Sequence, residues 1–101
     1  MPESADLIFA ADHPTAAGHF PGNPILPGAL LLDAIVQAIS RGAGAPAVTI
    51  ESAKFLRPVR PGDALRVEWE KKGAGTRFSC ALAVSGEIAV SGVLRIGEPA
   101  R

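Results

Sequence analysis

The sequence predicts an α+β fold: an antiparallel sheet packed on one central helix. Three observations lead there. Only one stretch has helical character, the segments after it have strand character, and the turn signals between them are too closely spaced for crossover helices. A sheet of this kind buries one face, and that helix is the only element able to cover it.

Residues 5–11 (Ala-Asp-Leu-Ile-Phe-Ala-Ala) predict the first strand. Residues 12–27 hold Pro14, Pro21, Pro24 and Pro27, which no regular helix or central strand tolerates, so they form a long loop. The helix runs from Gly28 to about Arg41, rich in Ala, Leu and Ile, and is ended by Gly42 to Pro46. At about 1.5 Å per residue it is about 21 Å long. It is apolar all round except at Asp33 and Gln37, which predicts burial on most sides. Leu30, Leu31, Ile35, Val36 and Ile39 line either the core or a ligand channel.

Residues 47–57, with Val48, Ile50 and Phe55, predict the next strand. Residues 64–72 alternate Leu65, Val67 and Trp69 with Arg66, Glu68 and Glu70, a period of two. Gly73-Ala74-Gly75 signals a hairpin into 76–84, and Ser85-Gly86 leads into 88–96. No repeat or linker appears, so residues 1–101 form one domain.

Composition narrows the function. The chain has 101 residues, 48% of them hydrophobic and 20% charged, which excludes disorder. Ten basic residues balance ten acidic ones, which argues against a general nucleic-acid or membrane-surface binder. Only five residues are aromatic, Phe9, Phe20, Phe55, Trp69 and Phe78, so the core is light and would gain from a partner subunit. A single cysteine, Cys80, excludes an intrachain disulfide and reads as a small core or surface residue. The acidic N-terminus is unlike a secretory signal, and Asp33 and Gln37 break the longest apolar stretch. A cytoplasmic protein is expected.

The chemically informative stretch is His19-Phe-Pro-Gly-Asn-Pro-Ile-Leu-Pro-Gly28, followed by Asp33 and Gln37. A carboxylate on a buried apolar helix is costly unless partnered. Gln37 lies one turn further on and can hydrogen-bond Asp33, and the pair must face water, a partner chain or a ligand. Gly28 opens the helix, where backbone N–H groups are unpaired and the dipole is positive, and without a Cβ it admits a close approach. Prolines stiffen the loop that carries His19. Each feature alone has an ordinary structural use; together they supply a base, an acid and an oxyanion donor. That set suits proton abstraction beside a carbonyl better than hydrolysis, for which no nucleophile is evident. His13, in Asp12-His13-Pro14, reads as part of a loop turn.

These residues resemble the signature of the hot-dog-fold β-hydroxyacyl-acyl carrier protein dehydratases of the FabA/FabZ type. The resemblance rests on His19-Phe20-Pro21-Gly22, Pro24, Pro27-Gly28, Asp33-Ala34 and Gln37. A second block, Lys54-Phe55-Leu56-Arg57-Pro58-Val59-Arg60-Pro61-Gly62-Asp63, agrees with it. It implies a curved sheet wrapped around the helix, and a homodimer or trimer of dimers with active sites at the dimer interface. It implies that His19 removes the α-proton of a 3-hydroxyacyl thioester and that Asp33 protonates the departing hydroxyl. Gly28 N–H would polarise the carbonyl, the Ile25 carbonyl would fix the histidine tautomer, and Gln37 would orient Asp33. The product would be a trans-2-enoyl thioester, made without metal or organic cofactor in fatty-acid or polyketide-like (aryl polyene) synthesis. The partner implied is acyl carrier protein; Arg41, Lys54, Arg57 and Arg60 would form its docking patch, or else be scattered solvated charges.

The sequence departs from the pattern in carrying Asp where the most similar group carries Glu. It is also short, and it contains no tyrosine. Two other readings stand beside the dehydratase: a hot-dog acyl-thioesterase, and a non-catalytic acyl-binding or dehydratase-partner subunit.

Overall fold

The computed structural model describes residues 3–9, 25–44, 48–73 and 75–96. In chain order these form β1 (Glu3–Ile8), α1 (Gly28–Ala43), β2 (Val48–Phe55), β3 (Ala64–Lys72), β4 (Gly75–Leu82) and β5 (Ile88–Ile96). The five strands make one sheet in the order β1-β3-β4-β5-β2, with every pairing antiparallel. β1 and β2 are its edges, and α1, lying between them in sequence, touches β1, β2 and β3.

Alternation along the strands decides which face meets the helix. Val67 pairs with Cys80 and Cys80 with Val90, so one row of buried side chains crosses three strands. Trp69, Phe78 and Gly92 form the next row, and Leu65 extends the buried face. Leu31, Ile35, Ala38 and Ile39 supply the helix's share of the core. The opposite sheet face carries Arg66, Glu68, Arg77, Ser79 and Ser91, as the period-two pattern predicts.

The helix differs from expectation in two ways. It is buried on one side only: Ala29, Asp33, Gln37 and Arg41, each four residues from the last, form an exposed stripe, and Leu30 and Val36 are half-buried. One sheet covers one helix face, and the other apolar flank has no strand over it among the described residues. The helix also runs past Gly42 to Ala43. Gly42 is a packing position, because a Cβ there would lie 2.7 Å from the Trp69 ring. The stop falls at Gly44, in the left-handed region at φ 66°, whose N–H is donated to the carbonyls of Arg41 and Ser40.

β3 and β5 have the bounds that the sequence predicts, while β2 and β4 differ by one or two residues at their ends. β1 lies earlier than the predicted 5–11, because its register runs from Glu3 opposite Trp69 to Ile8 opposite Ala64, where β3 begins. β2 carries a bulge between Ile50 and Ser52. Gly92 lies beneath it: a Cβ there would collide with the Ser52 carbonyl oxygen and come 2.8 Å from the Phe78 ring. Cys80 is a core residue, and burial pushes its thiol from 9.0 up to about 11.

Candidate active site

The first turn of α1 is built by the segments around it. Pro27 is extended (φ −60°, ψ 141°) and fixes the chain direction into the helix; no side chain caps that end. Leu26 donates its N–H to the Val59 carbonyl (2.8 Å), and both residues are buried. The turn beyond Val59 is closed by Arg60 N–H donated to Asp63 Oδ2 (2.8 Å) and Asp63 N–H to the Arg60 carbonyl (3.0 Å). Gly62 N–H, donated to the Phe9 carbonyl (2.9 Å), ties this turn to the end of β1. The Lys54–Asp63 block thus buttresses the start of the helix, which puts the second motif against Pro27-Gly28 of the first.

Gly28 opens α1 as expected. Phe55, at the end of β2, lies directly against it: a Cβ at Gly28 would sit 3.2 Å from ring carbons Cε1 and Cζ. Sequence reading counted Phe55 only as a strand residue and part of the second motif. The signal for a larger role was its place at the strand end, two residues before the Arg57-Pro58 break.

Asp33 and Gln37 meet as the spacing predicts, with Gln37 Nε2 donated to Asp33 Oδ2 at 2.9 Å. The expected cost of a buried carboxylate does not arise within one chain, because both residues lie on the exposed stripe. Asp33 lies five positions after Gly28, about 7.5 Å along the axis and about 140° around it. Gly28 N–H points along the helix axis out of its first turn, whereas Asp33 projects from the exposed flank.

Ile25 is half-buried just before Pro27. His19, the expected base, lies outside the described residues, as do His13, Phe20, Pro21, Gly22 and Pro24. The four basic residues do not form one patch. Arg57 and Arg60 flank Val59 near the helix start, and Lys54 precedes Phe55, whereas Arg41 is about 20 Å further along the helix. Arg57 pairs with Glu87 at 3.3 Å. A shallow groove of about 680 Å³ lies on the outer sheet face, lined by Lys54, Leu56, Glu68, Arg77, Ile88 and Ser91 among others. It includes none of Gly28, Asp33 or Gln37. No helix among the described residues is long and apolar enough to cross a membrane.

Known proteins resemble this chain in sequence and in fold. A 3-hydroxyacyl-[acyl-carrier-protein] dehydratase FabZ of Acetivibrio thermocellus is 38% identical over 97 residues, covering 83% of this chain and 66% of the relative. The corresponding FabZ of Sodalis glossinidius is 42% identical over 92 residues, covering 77% and 61%. The chain therefore spans somewhat less than two thirds of these curated relatives. Among solved structures, the dehydratase heterocomplex ApeI:P from Xenorhabdus doucetiae matches with a TM-score of 0.74 at 24% identity, covering 96% of this chain and 88% of that one. An uncharacterized protein from Erwinia carotovora subsp. atroseptica matches with a TM-score of 0.73 at 25% identity, covering 94% and 82%. The curved sheet around one helix is the hot-dog fold. Residues 3–93 match the family model described as ApeI-like, ApeI dehydratase, a span that takes in His19, the whole helix and most of the sheet. The chain belongs to the ApeI-like dehydratase family.

Proposed function

We propose that this chain dehydrates 3-hydroxyacyl thioesters carried by acyl carrier protein, giving trans-2-enoyl thioesters and water. The observation that carries the reading is the Gln37–Asp33 hydrogen bond on an exposed stripe of an otherwise apolar helix. Family membership supports it, and so does the helix start at Gly28. In this reading His19 takes the α-proton, and negative charge grows on the thioester oxygen. Gly28 N–H, at the positive end of the helix dipole, stabilises that charge. The C–O bond to the 3-hydroxyl breaks as Asp33 delivers a proton to it, directly or through water. Gln37 holds Asp33 in place, and the Ile25 carbonyl accepts a hydrogen bond from the second nitrogen of His19.

The exposure of the Asp33–Gln37 pair on the helix flank favours a site shared by two chains, with His19 and Gly28 from one copy and Asp33 from another. A second copy would pair along one of the edge strands, β1 or β2, since an open edge invites pairing. The assembly is then a homodimer or a trimer of such dimers. Lys54, Arg57 and Arg60, near the helix start, would receive the acidic carrier.

The test supplies 3-hydroxyacyl-carrier protein and follows enoyl formation and free thiol separately. Enoyl product should form with the native protein and fall at least about 100-fold in both His19→Ala and Asp33→Asn. Free thiol without enoyl would make the chain a thioesterase and overturn the reading.

A further inference from the structure

The outer face of the sheet carries an arrangement that the proposed activity does not use. Register places Glu68 of β3 opposite Ser79 of β4, Ser79 opposite Ser91 of β5, and Ser91 opposite Lys54 of β2. One row thus crosses four strands, with a carboxylate at one end, two serines in the middle and an ammonium at the other end. The charged ends are exposed and the serines half-buried. Neighbouring strands lie about 4.8 Å apart, so the ends are about 14 Å apart and cannot pair within one chain. Other charges on β3 are partnered: Arg66 lies 3.5 Å from Asp6, and Lys72 lies 3.9 Å from Glu70. Glu68 and Lys54 have no ion-pair partner among the described residues. All four members of the row line the groove of about 680 Å³ on this face.

Such a row is complementary to itself. A two-fold axis parallel to the strands, between β4 and β5, sets Glu68 over Lys54 of a second copy at both ends and serine over serine at the centre. An axis across the strands would set Glu68 over Glu68 and Lys54 over Lys54, so charge selects the first. Packed sheets lie about 10 Å apart, and the small central residues permit that approach or a closer one. A lysine and a glutamate reaching from opposite sides span that gap. Four strands of about eight residues offer about 500 Å² per copy, about 1,000 Å² for the pair, which is the lower end for a specific interface. An acidic partner fits the groove less well, because Glu68 and Glu70 line it beside the cations.

We propose that the outer sheet face is an interface between two copies of this chain, held at both ends by Glu68 and Lys54. It is distinct from pairing along an edge strand and does not depend on the dehydratase reading. Copies paired at an edge are joined in twos through this face. Lys54 then belongs to the interface, and the carrier is received by Arg57 and Arg60.

The experiment measures molar mass by light scattering, at one fixed concentration, for native protein, Glu68→Lys, Lys54→Glu and an equal mixture of the two variants. Each reversal alone sets like charges over one another, so either variant should have about half the native mass. In the mixture each end again sets a cation over a carboxylate, and the native mass should return. The double variant Glu68→Lys/Lys54→Glu should keep it as well. Reversals that leave the native mass unchanged overturn the proposal, and so does a mixture that stays at half mass. Should a reversal fail to fold, Ser91→Gln carries the test. Its long side chain at the centre should halve the mass, and an unchanged mass overturns the proposal.

Discussion

Asp33 is held by a single side-chain hydrogen bond from a residue one turn further along the helix. Because both groups are exposed, Gln37→Ala should change stability by no more than about 0.5 kcal/mol in urea unfolding. Enoyl formation should nevertheless fall roughly tenfold, since an acid one methylene shorter than glutamate depends on being aimed. A purely structural role for Gln37 would give the opposite pair of results. Cys80 behaves differently. Burial favours its neutral thiol, so its contribution to stability is complete below pH 9 and is lost as pH rises toward about 11. The native thiol should resist alkylation at neutral pH and react once urea unfolds the protein. Cys80→Val should flatten the fall of the urea midpoint between pH 9 and 11. At this scale the sequence was legible where partners are close along the chain, as for Asp33 and Gln37. It was silent on the contact between Phe55 and Gly28, which are 27 positions apart and meet only because the end of β2 folds back over the start of the helix.

The helix shows how an element's length can be misread from a breaker residue. Gly42 looked like a stop, and Gly44 is the stop, because Trp69 occupies the space that a side chain at 42 would need. Two effects oppose each other in Gly42→Ala: alanine gains about 1 kcal/mol in helix propensity, while overpacking against a buried ring costs about 1–3 kcal/mol. Trp69 is 4% exposed and its ring cannot bend away, so the variant should be less stable in urea unfolding. A gain in stability would show that the ring shifts freely. Gly92→Ala should be worse, by about 3 kcal/mol, because it meets the backbone of the β2 bulge as well as the Phe78 ring. Strand alternation made β3 readable to the residue, and the Ser85-Gly86 turn signal did the same for β5. The bulge could not be read, because it depends on a glycine in a strand some forty positions later. Nor could the exposed flank of the helix, since apolar periodicity says what is buried in the working assembly, not what one chain covers alone.

Across the whole molecule, an exposed stripe bearing Asp33, half-buried Leu30 and Val36, and the open edge strands are the features that favour the proposed pairing of two chains. A light aromatic content points the same way. The fold class and the residues of the proposed site were therefore legible in one sequence, whereas their division between two chains was implied only by the resemblance. The most direct measurement is complementation between inactive copies. His19→Ala and Asp33→Asn proteins are purified, mixed in equal amounts, unfolded and refolded together, and assayed for enoyl formation. If each site takes His19 from one copy and Asp33 from another, random pairing makes half the dimers mixed, each with one intact site of two. Activity should then return to about a quarter of the native value. A mixture as inactive as its components would contradict the shared site.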